Sequence, residues 1–124
     1  MNSGSFKLLP TTLSAFSQVF ILVDENTLLH CYPLVKLALP QHILIQIQSG
    51  EENKTLATCT LVWDVLTKHN ADRDSVLINL GGGVIGDLGG FAAGCYKRGI
   101  KFINIPTTLL AMVDASVGAK TGID

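Results

Sequence analysis

The chain has 124 residues, room for one domain, and its 48 % hydrophobic content can bury a modest core. A net charge of −1 with only 15 % charged residues argues against a nucleic-acid or anionic-membrane binder. No apolar run approaches the ~18 residues of a membrane span, and the polar start Met1-Asn2-Ser3-Gly4-Ser5 has no signal-peptide pattern, so a cytoplasmic protein is expected.

Gln18-Val19-Phe20-Ile21-Leu22-Val23 is a continuous apolar run, which predicts a strand covered on both faces. The polar cluster Asp24-Glu25-Asn26 follows it, in the position where open α/β sheets collect ligands, although by itself it is better read as a plain turn with a helix cap. Pro33 suits the first turn of a short helix over 34–39, which Pro40 stops. Ile43-Leu44-Ile45-Gln46-Ile47 predicts a second strand, again followed by a polar cluster, Ser49-Gly50-Glu51-Glu52-Asn53-Lys54. Leu56, Cys59, Trp63 and Leu66, with Val62 beside them, mark an amphipathic helix ending near His69-Asn70.

Ser75 to Leu80 predicts a third strand feeding Gly81-Gly82-Gly83-Val84-Ile85-Gly86-Asp87. A helix follows with Val84, Leu88, Phe91 and Cys95 on one face, ending near Gly99. Lys101 to Ile105 is the fourth strand, and Thr107-Thr108 can cap a short helix over 109–113. Strand and helix alternate throughout, so the expected fold class is α/β: a mainly parallel sheet with flanking helices and right-handed crossovers. Cys31, Cys59 and Cys95 form no Cys-x-x-Cys pair and read as reduced, mostly buried small hydrophobes.

Gly81-x-Gly83-x-x-Gly86 matches a dinucleotide fingerprint, in which glycine lets the backbone turn tightly and approach a pyrophosphate. Its setting is unusual. The glycines follow the third strand rather than the first, the strand-end acids Asp24 and Glu51 precede them, and no Gly-Lys-Ser/Thr closes a P-loop. Asp87 in the first helical turn is favoured by the helix dipole whatever its role. His30, His42 and His69 have no ligand spacing and read as surface or helix-end residues, so no metal site is expected in this chain.

Gly81 to Asp87, Tyr96-Lys97-Arg98-Gly99, and Ile105-Pro106-Thr107-Thr108 through Asp114-Ala115-Ser116-Val117-Gly118-Ala119-Lys120-Thr121-Gly122 together resemble the 3-dehydroquinate synthase family. Asp24-x-Asn26 and Ser49-Gly50-Glu51-x-x-Lys54 fit the same family more loosely. The resemblance implies that residues 1–124 form a Rossmann-like NAD-binding N-terminal domain, with a C-terminal metal-binding domain lying beyond this chain. It implies an NAD- and metal-dependent lyase, with zinc or cobalt held by that second domain. The lyase converts 3-deoxy-arabino-heptulosonate 7-phosphate to 3-dehydroquinate and phosphate in the shikimate pathway of aromatic amino acid biosynthesis.

Carried onto this sequence, the resemblance places Asp24, Asn26, Glu51 and Lys54 at the adenosine and ribose side of NAD. Gly82, Gly83 and Val84 fall at the pyrophosphate, Asp87 towards the nicotinamide ribose, and Thr107 and Thr108 add hydroxyl contacts. Asp114 and Lys120 would reach the substrate or nicotinamide end, and Arg98 would offer a planar fork to the substrate phosphate. Ala119 stands where the family usually has glycine. A homodimer acting on a small sugar phosphate is implied, and the domain alone is expected to be inactive. The alternatives are a related sugar-phosphate cyclase of the inosose or valiolone type, or a nucleotide-binding module without catalysis.

Overall fold

The computed structural model describes residues 13–108, and within them four strands form one parallel sheet. The strands are β1 (Val19–Asp24), β2 (Ile43–Ile47), β3 (Val76–Leu80) and β4 (Lys101–Ile105), in the spatial order β2-β1-β3-β4. Between β1 and β2 lie the short helices α1 (Glu25–His30) and α2 (Tyr32–Val35) and a 3₁₀ turn, Lys36–Ala38. Helix α3 (Leu56–Lys68) joins β2 to β3, and α4 (Gly83–Cys95) joins β3 to β4.

β1 is the hub of the sheet. It pairs with β2 through Phe20↔Ile43 to Asp24↔Ile47 and with β3 through Val19↔Val76 to Leu22↔Asn79. Its alternate residues feed two separate cores. Phe20 and Leu22 pack with Ile45, Cys59, Val62, Leu66, Leu88 and Ala92 beneath α3 and α4, whereas Val19, Ile21 and Val23 pack with Leu13, Val35 and Ile78 on the opposite face. Burial on both faces is why its sequence shows no polar alternation. The crossovers that move from β2 across to β3 and on to β4 run in the direction opposite to the one from β1 to β2. Their helices therefore lie on the other face of the sheet, as crossovers of a single hand require.

Three departures from the sequence reading have physical causes. The helix expected over 34–39 is replaced by α1, α2 and a 3₁₀ turn, because Asp24 starts a helix directly at the strand end. Its side chain accepts from the backbone N–H of Asn26 and Thr27, and the Thr27 hydroxyl closes the capping box on the Asp24 N–H. Helix α4 buries Ile85, Leu88, Gly89, Ala92 and Ala93, leaving Phe91 50 % exposed and Cys95 exposed. Leu88 is buried as expected, but Gly89, Ala92 and Ala93 rather than Phe91 and Cys95 share the buried face with it and Ile85, and these small residues let the helix sit close. Of the three cysteines only Cys59 is buried, Cys31 is partly covered and Cys95 is exposed, although all three are free thiols as expected.

Helix α3 ends as its sequence suggests. Asn70 takes a left-handed conformation (φ 57°) just after the His69 C-cap, and the Ala71 N–H returns to the Leu66 carbonyl at 2.9 Å. The Trp63 indole N–H donates to the Ala92 carbonyl at 2.9 Å and ties α3 to α4.

Candidate functional site

The strand order reverses between β1 and β3, and the carboxyl ends of these neighbours open a crevice where open α/β sheets bind ligands. Loops from three strands meet there. After β1, Glu25 reaches the loop beyond β2: its carboxylate accepts from the Ser49 N–H at 2.9 Å and from the Ser49 hydroxyl. The Ser49 hydroxyl is the main reason that the Glu25 carboxyl lies below its ordinary range. After β2, Gly50 adopts φ 109° and leads into the 3₁₀ turn Glu51–Asn53. Lys54 then crosses to α4, where its ammonium donates to the Asp87 carboxylate at 3.0 Å, with Glu51 at 3.6 Å on the same cation. Asp87, and behind it Glu51, raises the Lys54 ammonium above its ordinary range.

Beside this lies a cleft of about 620 Å³ walled by the glycine loop, the first turns of α4 and the end of β4. Gly81, Gly82, Gly83, Gly86, Asp87 and Asn104 line it, with Thr107 and Thr108 at the far edge. The glycines of this loop divide into two kinds. Gly81 has a positive φ of 157°, which disfavours any side chain, and a Cβ on Gly89 would come within 1.9 Å of the buried Asn79 Oδ1, so backbone angle at the first and packing at the second require glycine. Gly82 and Gly83 are different. A Cβ on either would meet nothing within 4 Å among the described residues, and neither has a positive φ. Among the described residues nothing demands glycine at 82 and 83, and a backbone without a Cβ at the mouth of the cleft allows a ligand to approach closely.

Gly82 is the N-cap of α4, and no described side chain caps the helix there. The first backbone N–H groups of a 13-residue helix thus face an open cleft, the arrangement that holds phosphate oxygens. A dinucleotide fits this donor set and this volume.

The residues expected from sequence separate into four groups. Gly82, Gly83, Asp87, Thr107 and Thr108 line the cleft, and Val84 occupies the first turn of α4 between them. Asp24, Asn26, Glu51 and Lys54 stand at the ends of β1 and β2, with Lys54 joined to Asp87. Arg98 lies past the far end of α4, about 18 Å along the helix axis from the glycine loop, and the structure does not bring it to the cleft. Arg98 (φ 68°) and Lys97 (φ 45°) both hold left-handed backbone there, ahead of Gly99. Asp114 and Lys120, together with the helix expected over 109–113, lie outside the described residues. Asp24 uses Oδ1 for its helix cap, so both readings of this residue have a basis: Oδ2 takes no partner among the described residues.

Sequence reasoning missed Asn104 and Asn79. They sit opposite each other on β4 and β3, and the Asn79 amide donates to the Asn104 Oδ1 at 3.0 Å. The signal was present as two asparagines inside apolar strands, but their pairing depends on the register. Among the described residues no group of three His, Cys, Asp or Glu side chains could hold a metal ion, and these residues do not fit one. His42 instead bonds Tyr32 at 2.6 Å and the Pro40 carbonyl at 2.7 Å, and His69 caps α3.

Comparison with known proteins agrees with this geometry. The family model for the 3-dehydroquinate synthase N-terminal region matches residues 44–124. A 3-dehydroquinate synthase of Parabacteroides distasonis is 47 % identical over 111 residues, covering 88 % of this chain and 31 % of the relative. Among solved structures, a 2-deoxy-scyllo-inosose synthase complexed with carbaglucose-6-phosphate, NAD+ and Co2+ superposes with a TM-score of 0.64. The two are 31 % identical, over 76 % of this chain and 27 % of the other. The 2-epi-5-epi-valiolone synthase of Streptomyces hygroscopicus, with NAD+ and Zn2+ bound, gives a TM-score of 0.65 at 28 % identity, over 88 % of this chain and 32 % of the other. The chain spans about a third of the length of these proteins. On its sequence match and its parallel α/β architecture, the chain belongs to the 3-dehydroquinate synthase family, whose N-terminal region it represents.

Proposed function

We propose that this chain is the NAD-binding part of a 3-dehydroquinate synthase, a lyase that acts on 3-deoxy-arabino-heptulosonate 7-phosphate and releases phosphate. The observation that carries the proposal is the pair Gly82 and Gly83, which among the described residues no packing or backbone angle requires to be glycine, placed at the uncapped start of a helix that lines a cleft. The pyrophosphate would lie against those N–H groups. Asp24, Asn26, Glu51 and Lys54 would hold the adenosine and ribose side, the two carboxylates accepting from ribose hydroxyls and the Asn26 amide and Lys54 ammonium donating to ligand oxygens. Asp87, Thr107 and Thr108 would meet the ribose of the nicotinamide half.

Bound there, NAD supplies reversible hydride acceptance. The chain's own contribution is to fix the dinucleotide's position, with Lys54 neutralising Asp87 so that a carboxylate is tolerated beside the pyrophosphate. The role of Asp114 and Lys120 at the substrate end is part of the same proposal. Arg98, which lies away from the cleft, would offer its guanidinium to the substrate phosphate at the far end of α4. The described residues fit no metal, so a zinc or cobalt ion would take its ligands from elsewhere, and no step is assigned to it here.

Two neighbouring structures are cyclases of the inosose and valiolone type, which supports a second reading with the same cofactor and a different sugar phosphate. A homodimer and a cytoplasmic location belong to the proposal; no helix among the described residues is long and apolar enough to cross a membrane.

Titration of the chain with NAD+ in a calorimeter tests the cofactor reading. Saturable binding that Gly82→Ala weakens is expected, and absence of binding overturns it. For the full enzyme, phosphate release from the heptulosonate phosphate, against release from glucose 6-phosphate and sedoheptulose 7-phosphate, separates the synthase from the cyclases.

A further inference from the structure

Asn79 is a costly residue for its place. It is 1 % exposed in the middle of β3, where every other residue is apolar, and burying a carboxamide costs free energy unless its hydrogen-bonding capacity is met. Among the described residues its Oδ1 has no partner, and it fills the space that a side chain at position 89 would need. Packing alone would be served by an apolar side chain at position 79, with no carboxamide to bury. What the arrangement does is hold Asn104. In register across the sheet, Asn104 accepts the Asn79 amide on Oδ1 at 3.0 Å, on the side of β4 that faces α4 beneath Gly86.

With Oδ1 occupied, the Asn104 Nδ2 takes no partner among the described residues. The side chain is exposed, and it forms part of the cleft wall between the glycine loop and Thr107. We infer that Asn104 is a ligand residue of the cleft: its Nδ2 donates to an oxygen of the nicotinamide nucleoside half of the dinucleotide, and buried Asn79 positions it. The inference rests on the NAD reading given above. The half is assigned by layout: the polar ends of β1 and β2 serve the adenosine side, the α4 N-terminus serves the pyrophosphate, and β4 is the strand left for what lies beyond it.

Calorimetric titration of the chain with NAD+ and with ADP tests this, because ADP carries the adenosine half and the diphosphate but no nicotinamide nucleoside. Asn104→Ala should raise the NAD+ dissociation constant about tenfold, the worth of one good hydrogen bond, with ADP affinity unchanged within about twofold. Asn104→Asp, which keeps the acceptor for Asn79 and removes the donor, should likewise weaken NAD+ more than ADP. Asn79→Ala should weaken NAD+ selectively in the wild-type background and have no further effect on NAD+ in the Asn104→Ala background, whatever it does to the melting temperature. Unchanged NAD+ affinity in Asn104→Ala, or an equal loss for NAD+ and ADP, overturns the inference while leaving the cofactor reading intact. Failure of the unmutated chain to bind either probe overturns both.

Discussion

Lys54 and Asp87 are 33 residues apart in sequence and 3.0 Å apart in space, joining the loop after β2 to the first turns of α4 across the end of β1. With Glu25 holding Ser49, this pair links all three loops at the ligand end of the sheet. Both side chains are largely exposed, so the bond itself adds little to folding.

Lys54→Ala and Asp87→Ala should therefore each leave the denaturation midpoint nearly unchanged. Each should weaken NAD+ binding, and the double variant should lose less than the sum of the two single losses, by the part that each residue contributes through the pair. Denaturant titration beside calorimetry checks this; additive binding losses would show that the two residues act separately.

Glycine-to-alanine variants should fall into two classes. Gly82→Ala and Gly83→Ala should leave stability within about 1 kcal/mol, since the added methyl meets nothing, yet reduce NAD+ affinity at least tenfold. Gly89→Ala should destabilise the chain by about 2–3 kcal/mol through collision with Asn79, and Asn79→Ser should relieve part of that loss. Thermal and denaturant melts of the four variants decide it.

Asp24→Ala should cost about 1 kcal/mol through loss of the α1 cap. Asp24→Asn keeps the acceptor oxygen and should retain most of that stability. If Asp24 also holds a ribose, both variants lose NAD+ affinity, whereas a cap alone predicts loss in the alanine variant only.

Two carboxylates make acid stability depend on serines. The Ser17 hydroxyl, donating to Asp72 at 2.5 Å, is the main cause holding Asp72 below its ordinary range, as Ser49 does for Glu25. A carboxylate with a lowered folded value stabilises above its ordinary range, about pH 4, and loses that contribution as pH falls through the folded value. The stability gap between the wild type and Ser17→Ala or Ser49→Ala should therefore be full at pH 7 and close below about pH 4. A gap that persists into acid would mean that the serines act through packing.

The strands were legible because burial on both faces writes itself as an unbroken apolar run, as in Phe20-Ile21-Leu22-Val23. Helix α1 was not, since six residues leave too short a period to read and its start depends on one side chain, Asp24, doing a cap's work. The face of α4 was misjudged because Phe91 looks like core while Gly89 and Ala93 do not; close approach to Asn79 reverses that ranking. The glycine loop could be found from spacing alone. Its division into packing glycines and ligand glycines could not, because it depends on what each absent Cβ would touch.

Among the described strands, β1 comes earliest in the chain and lies inside the sheet, between β2 and β3. During synthesis β1 gains its first neighbour when β2 emerges, and its second edge stays open until Val76 to Leu80 have left the ribosome. Over that interval a strongly apolar strand presents unpaired backbone to its surroundings, a state prone to pairing with other chains. Truncations that end before β3 should thus need a chaperone to stay dispersed, while those that reach Leu80 should not.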